Sequence, residues 1–189
     1  MKFGPNGYEA ADGSLTHEEY LKLSPMGYVP TLTVDGSTIT EVPAILQYIA
    51  SFAQDRQLMG ADLMGTVRVE EWLVWLSGLH AVGFGALWRP ARFVGDAEEM
   101  YPVVRETGRK EILRRYGRIE SQVGYKHAVG EHFTVVDFYL HTFWRWGVDI
   151  GVDMAAYPRF TAVVRKVEKL GSVQAAMKEE GQPLRLVDA

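Results

Sequence analysis

Residues 24–45 read SPMGYVPTLTVDGSTITEVPAI, and this stretch decides the fold of the first part of the chain. Tyr28 to Val34 and Thr38 to Ile39 alternate as short strands. Between them lies Asp35-Gly36, a pair that accepts the positive φ angles of a tight hairpin turn. Pro43 then opens a helix, because its missing N–H is one of the donors that a first helical turn leaves unpaired anyway. Ala44, Ile45, Tyr48, Ile49 and Phe52 follow at helical spacing. A hairpin running directly into a helix predicts a small α+β unit.

Working outward, Thr16 to Leu23 predicts a short helix, and residues 1–15 read as loop or irregular edge. Gln54 to Gly65 is polar and glycine-punctuated, and reads as a linker. The expected domains are residues 1–57 and 58–189. Everything after the linker has helical periodicity, which predicts helices over Thr66 to about Leu87, Glu98 to Val123, Thr134 to Trp146, Ala155 to Leu170 and Ser172 to Glu180. Gly181 to Ala189 reads as a tail. Thr134-Val135-Val136-Asp137 is a capping box with Asp in place of Glu, and Phe133 with Phe138 forms a hydrophobic staple. Both mark the start of a stable helix. Arg105, Arg109, Lys110, Arg114, Arg115 and Arg118 are interleaved with Glu106 and Glu111, the pattern of a solvated helix face with i,i+4 pairs.

The 189 residues carry a formal net charge of −4, which argues against a polyanion binder, and 47% are hydrophobic, enough for a buried core. The chain has no cysteine, so it supplies no disulfide, thiolate metal site or cysteine nucleophile. No metal site is expected. With no secretory or membrane-spanning apolar run, the expected location is the cytoplasm, away from nucleic acid and membrane.

Three segments together resemble the glutathione S-transferase family. The first is Ser24 to Leu32 followed by Thr40-Glu41-Val42-Pro43-Ala44-Ile45. The second is Glu71-Trp72-Leu73, then Leu79-His80, then Leu87-Trp88-Arg89-Pro90, which is similar to the first helix of the helical domain in the bacterial beta class. The third is the Thr134–Asp137 capping box. The resemblance covers most of the chain from Leu15 onward. It implies a shortened thioredoxin-like domain followed by an all-helical domain, with the family's first strand and helix missing before this region.

The same resemblance implies the site. Val29-Pro30 would be a cis peptide bond, and the Val29 main chain would pair with the cysteinyl part of glutathione like an added strand. Glu41 would bind the γ-glutamyl amino group. Val42 stands where the family usually has Ser or Thr, so the hydroxyl that caps the helix and meets the γ-glutamyl carboxylate is lost. The missing first strand and helix would have supplied the Tyr, Ser or Cys beside the thiol. Tyr8 is the only aromatic hydroxyl in the first fifteen residues, and its position does not match. His80 is the remaining ionisable candidate for a catalytic role, on a stripe with Leu73, Ser77 and Phe84; the alternative is a histidine satisfied at a domain boundary. Trp72, Trp75, Phe84, Trp88, Tyr139, Trp144 and Trp146 could frame an apolar substrate site. Most are expected in the core, and Phe84 and Trp88 are preferred for substrate contact.

These residues imply an enzyme that uses glutathione on a hydrophobic electrophile, by conjugation or by glutathione-assisted cis–trans isomerisation, as in a biosynthetic tailoring step. A homodimer is implied as well. The alternative is a non-catalytic binding or dimerisation module, favoured by the missing hydroxyl at Val42 and by the missing activating side chain.

Overall fold

The computed structural model describes residues 2–4, 7–10 and 12–186, so Met1, Pro5, Asn6, Ala11 and the last three residues of the expected tail lie outside the described residues. The chain divides into two compact units, Met1–Phe52 and Ala53–Ala189.

In the first unit, β1 (Lys2–Gly4) pairs antiparallel with β2 (Gly7–Glu9), Phe3 opposite Tyr8. The expectation of loop or irregular edge for residues 1–15 is corrected at these two strands. Each of these strands carries one aromatic residue and one glycine, which leaves no alternation to read, so only the pairing reveals them. Helix α1 (His17–Leu23) starts at Thr16, whose N–H donates to the Glu19 carboxylate at 2.9 Å while its hydroxyl accepts from the Glu19 N–H at 3.3 Å. β3 (Leu32–Val34) and β4 (Ser37–Ile39) form the expected hairpin, with Leu32 opposite Ile39. Asp35 and Gly36 have φ of 48° and 77°, the left-handed pair that a two-residue hairpin loop requires. Helix α2 (Val42–Ala50) follows and buries Ile45 and Ala50.

The second unit is helical. A 3-10 segment kinked at Ala53, Ser51–Arg56, starts in the last two residues of the first unit and occupies part of the expected linker. Helix α3 (Leu63–Gly78) begins earlier than the periodicity suggests, because Asp62 caps it, accepting the Gly65 N–H at 2.7 Å. Gly60, at φ 104°, lets the turn lie on this helix start; a Cβ there would fall 2.4 Å from the Gly65 carbonyl carbon. The glycines of this segment therefore build a tight helix entry, and the linker reading is corrected in that respect. The Leu58 carbonyl also accepts the Val135 N–H at 2.9 Å, tying the segment to a later helix start.

α3 runs into a π-helical segment (Leu79–Phe84) and then α4 (Gly85–Trp88). After α5 (Ala91–Val94) come α6 (Tyr101–Gln122), α7 (Val135–Asp149), α8 (Pro158–Glu168) and α9 (Gly171–Glu179). α6 packs on the π segment and α4, and α7 packs on α8 and α3. Leu76, Leu79, Ile112, Tyr116, Ile119, Leu140, Phe143 and Phe160 are fully buried between them. The Tyr116 hydroxyl donates to the Phe143 carbonyl and locks α6 to α7. The charges of α6 pair along the helix, Glu106 with Lys110 at 2.7 Å and Glu111 with Arg115 at 3.5 Å, but Arg115 is largely buried against Trp75 and Arg109 donates to the Ile150 carbonyl, so the solvated-face expectation is corrected for these two. Among the described residues no helix is long and apolar enough to cross a membrane.

The start of α7 is closed by a buried carboxylate. The buried Asp137 carboxylate accepts the Thr134 N–H at 2.8 Å, the Thr134 hydroxyl at 3.1 Å and the Ala128 N–H at 2.8 Å. Phe133 and Phe138 stack with ring centroids 5.9 Å apart, which realises the staple. Burial pushes the Asp137 carboxyl above the usual carboxylate range, and the Thr134 and Ala128 N–H groups oppose that shift. Replacing Asp137 by Ala strands these two backbone donors away from water. Asp137→Ala is expected to destabilise the protein by about 3 kcal/mol, read as a lower urea midpoint; an unchanged midpoint would show that the cap contributes nothing.

Candidate functional site

The candidate residues fall on both units, and each part stands on its own geometry. In the first unit, Val29-Pro30 is a cis peptide bond just ahead of β3. Its approach is fixed by two buried side chains that the sequence reading did not single out. The hydroxyls of Tyr20 and Ser24 donate to the Tyr28 carbonyl at 2.5 and 2.9 Å, and the Tyr28 N–H donates back to the Ser24 hydroxyl at 3.2 Å. One carbonyl and one N–H next to Val29 are thus spoken for, which sets the path of the chain through Val29 and Pro30. Tyr20 reads in sequence as an apolar position of α1, and only the chain reversal at residues 24–28 brings its hydroxyl onto residue 28.

Glu41 lies at the N-cap of α2 with φ 68° and ψ 120°, a conformation that costs a residue with a side chain of order 1–3 kcal/mol. Its carboxylate is exposed, and no side chain caps the helix. Val42 occupies the first helical position and offers no hydroxyl. The start of α2 therefore presents backbone N–H groups without a side-chain acceptor, beside an exposed carboxylate. An amino acid's paired amino and carboxylate groups fit such an arrangement: the amine meets Glu41 and the carboxylate meets the helix start. Tyr8, in β2, engages the His17 ring through its carbonyl at 3.2 Å.

In the second unit, His80 sits in the second position of the π segment. Its carbonyl accepts the N–H of Gly85, five residues on, which is the bond that widens the helix there. The stripe of Leu73, Ser77, His80 and Phe84 expected from regular α spacing is therefore redirected after Gly78. The signal for this was present in the sequence as Gly78, Gly83 and Gly85 within one helical run, residues that weaken regular helix. Close packing exploits them. α6 meets the π segment at Gly108, where a Cβ would fall 2.7 Å from the Gly83 carbonyl oxygen.

The widened turn delivers His80, Phe84 and Trp88 to one aromatic cluster centred on Trp146 of α7. Ring centroids lie 5.5, 5.1 and 5.0 Å from Trp146 for His80, Phe84 and Trp88 respectively, and Phe143 completes the group at 5.4 Å. Tyr139 joins through Phe143 at 4.7 Å. Phe84 is 0% exposed and serves as core, whereas Trp88 keeps 45% of its surface open. Of the two residues preferred for substrate contact, Trp88 alone presents an open ring. The other aromatics separate from this cluster. Trp72 and Trp75 pair with each other at 5.7 Å, and Arg118 and Arg115 lie over Trp75 at 4.8 and 5.3 Å. The Trp144 indole N–H donates to the Thr161 hydroxyl at 2.9 Å inside the core. No group of three or more potential metal-ligating side chains occurs among the described residues.

Comparison with known proteins agrees with both halves of the chain. Residues 8–51 match the model of the glutathione S-transferase N-terminal domain, and residues 93–170 match that of the C-terminal domain. The chain is 30% identical over 169 residues to glutathione S-transferase GST-4.5 of Xanthomonas campestris pv. campestris, covering 86% of this chain and 80% of that protein. It is 26% identical over 175 residues to the maleylacetoacetate isomerase of Rhizobium meliloti, covering 87% of this chain and 79% of the relative. A glutathione transferase homologue from Sulfitobacter, solved with bound glutathione, superposes with a TM-score of 0.78 at 27% identity, over 87% of this chain and 79% of that one.

Proposed function

The chain belongs to the glutathione S-transferase family, and on that premise we propose that it is a glutathione-dependent enzyme acting on an apolar, electrophilic small molecule, by conjugation or by cis–trans isomerisation. The observation that carries this reading is the start of α2, where Glu41 is held at a positive φ beside backbone donors that no side chain caps. A structure that keeps an unfavourable backbone conformation at an exposed position points to a ligand there. Val29 would pair its main chain with the cysteinyl residue of glutathione, with Pro30 holding the turn. Glu41 would take the γ-glutamyl amine, and the backbone at Val42 the γ-glutamyl carboxylate. Bound in this way, glutathione supplies a nucleophilic thiol, of which a few per cent is thiolate at neutral pH.

His80 is the residue assigned to support that thiolate, by hydrogen bond or by charge. Trp88, with its open ring, is assigned to the apolar substrate, and Phe84 backs it from the core. Isomerisation is supported by the likeness to a maleylacetoacetate isomerase. In such a reaction the thiolate adds to a polarised alkene, the carbon–carbon bond rotates, and the thiolate leaves. A second reading, a non-catalytic binding module, is favoured by Val42, because an anion site without the hydroxyl holds glutathione more weakly. We also infer a homodimer. α3 leaves Leu63, Met64, Val67 and Val74 exposed, an apolar stripe suited to an isologous contact with a second copy.

Calorimetric titration is expected to give weak but measurable glutathione binding, and Val42→Ser is expected to tighten it by about 1 kcal/mol, the scale of one restored hydrogen bond. No heat and no thermal shift at millimolar glutathione would remove the ligand assignment. His80→Ala is expected to lower glutathione-dependent turnover of an α,β-unsaturated carbonyl roughly 100-fold with the fold intact. Unchanged turnover in the folded variant would take His80 out of the mechanism and favour the boundary role. Sedimentation at micromolar concentration is expected to give a dimer that Val74→Glu dissociates; a wild-type monomer would refute the dimer.

A further inference from the structure

The segment after α9 is held more firmly than a tail requires. Gly181 turns the chain at φ 64°, and the Gln182 N–H returns to the Met177 carbonyl at 2.8 Å. From there residues 182–186 meet α7 and the end of α8. Glu168, the last residue of α8, is 0% exposed. One of its carboxylate oxygens accepts the consecutive backbone N–H groups of Arg185 and Leu186 at 3.0 and 2.7 Å, and the other lies 3.2 Å from His141 Nε2. Arg145 donates to the Pro183 carbonyl at 2.7 Å and to the Gln182 side-chain oxygen at 2.9 Å. The Arg185 guanidinium closes the segment on Asp149 at 2.5 Å. The reading of these residues as a simple tail is thus corrected for 182–186.

His141, Arg145 and Asp149 recur every four residues, so they form one face of α7 over two turns. A different face, about 130° further around the helix axis, carries Tyr139, Phe143 and Trp146, which pack in the aromatic cluster with Phe84, Trp88 and His80. Arg145, which grips the segment, and Trp146, which stacks on His80, are consecutive residues of the same helix. The carboxylate and the segment also depend on each other. A buried carboxylate needs donors for both oxygens, and two of those given to Glu168 come from the segment's own backbone. The match to the family's C-terminal model ends at residue 170, so residues 182–186 lie beyond it, while the side chains that hold them lie within it.

We propose that residues 182–186 are a strap that holds the C-terminal half of α7 in place, with Glu168 as its buried receptor, and so positions Trp146 against His80. The consequence for turnover rests on the role assigned to His80, whereas the positioning itself does not.

The test uses full-length Glu168→Gln, a chain ending at Gly181, and a synthetic peptide of residues 182–189 added back to the shortened chain. Amide exchange at Arg185 and Leu186 reports the strap, and the titration midpoint of the His80 imidazole by NMR, with the near-UV tryptophan spectrum, reports the cluster. Glu168→Gln is expected to speed exchange of both amides by about tenfold or more and to move the His80 midpoint and the spectrum in a protein that remains folded. The shortened chain, which lacks both amides, is expected to show the same shift of the His80 midpoint and of the tryptophan spectrum, reversed by the peptide. Protected amides in Glu168→Gln would overturn the receptor role. Freed amides with an unmoved His80 midpoint and spectrum would overturn the positioning role and leave only an anchored terminus. Should either variant not fold, Arg185→Ala, which removes the clasp to Asp149 and leaves the Glu168 bonds, is measured by the same two readouts: faster exchange with a moved His80 midpoint supports the strap, and unchanged exchange or an unmoved midpoint overturns it. Turnover enters neither readout, so failure of the His80 assignment and failure of the strap are separate results.

Discussion

The helical unit depends on one buried carboxylate. Asp137 closes the start of α7 on Thr134 and draws in the backbone of Ala128, with both oxygens bonded and no access to water. A carboxylate is tolerated in such a place only because fixed N–H donors replace its hydration. In return it sets where α7 begins, and hence which residues of that helix face each neighbour. The Phe143 ring faces Phe84, Trp144 faces Thr161, and Trp146 faces the π segment. A shift of one residue at the cap would turn every one of these side chains by about 100° around the helix axis.

Helix α7 is held at both ends by the same chemistry. At its start the acceptor is Asp137, and near its end Glu168 of α8 collects backbone donors from residues 185 and 186. In each case a fully buried carboxylate binds irregular chain to a helix, and the helix between them carries the aromatic cluster. Burial lowers the proton affinity of the His141 ring, and Glu168 beside it acts in the opposite sense. The π segment performs the complementary task on the other side of the cluster. Its widened turn and the glycine contact at Gly108 bring His80, Phe84 and Trp88 to a single indole.

In the first unit the ordering principle is backbone placement. Tyr20 and Ser24 spend their hydroxyls on one carbonyl, and Glu41 spends conformational energy on one φ angle. Both arrangements concern main-chain direction around Val29 and at the start of α2. A peptide ligand is recognised largely through main-chain groups, and backbone placement of this kind suits the glutathione site proposed above.

What the sequence determined by itself was the order of elements, because each is written in local chemistry. Asp35-Gly36 dictates its turn, Pro43 its helix start, and Thr134 with Asp137 a cap whose two halves lie within four residues. The family resemblance was legible for the same reason, since Val29-Pro30 and Glu41 sit in one continuous stretch. The tertiary structure decided what depends on residues far apart in the chain. The β1–β2 strands, each with one aromatic residue and one glycine, show no alternation. The π-helical turn at His80 is selected by packing against Gly108 and Ile112 of α6, which regular helical spacing cannot foresee. That Phe84 is core while Trp88 stays open follows from where α7 places Trp146 and Phe143. The fate of residues 182–186 rests on Glu168, Arg145 and Asp149, charges that read singly as solvated surface. Local propensity acts over a few residues, whereas burial and the pairing of buried charge are settled only when distant segments meet.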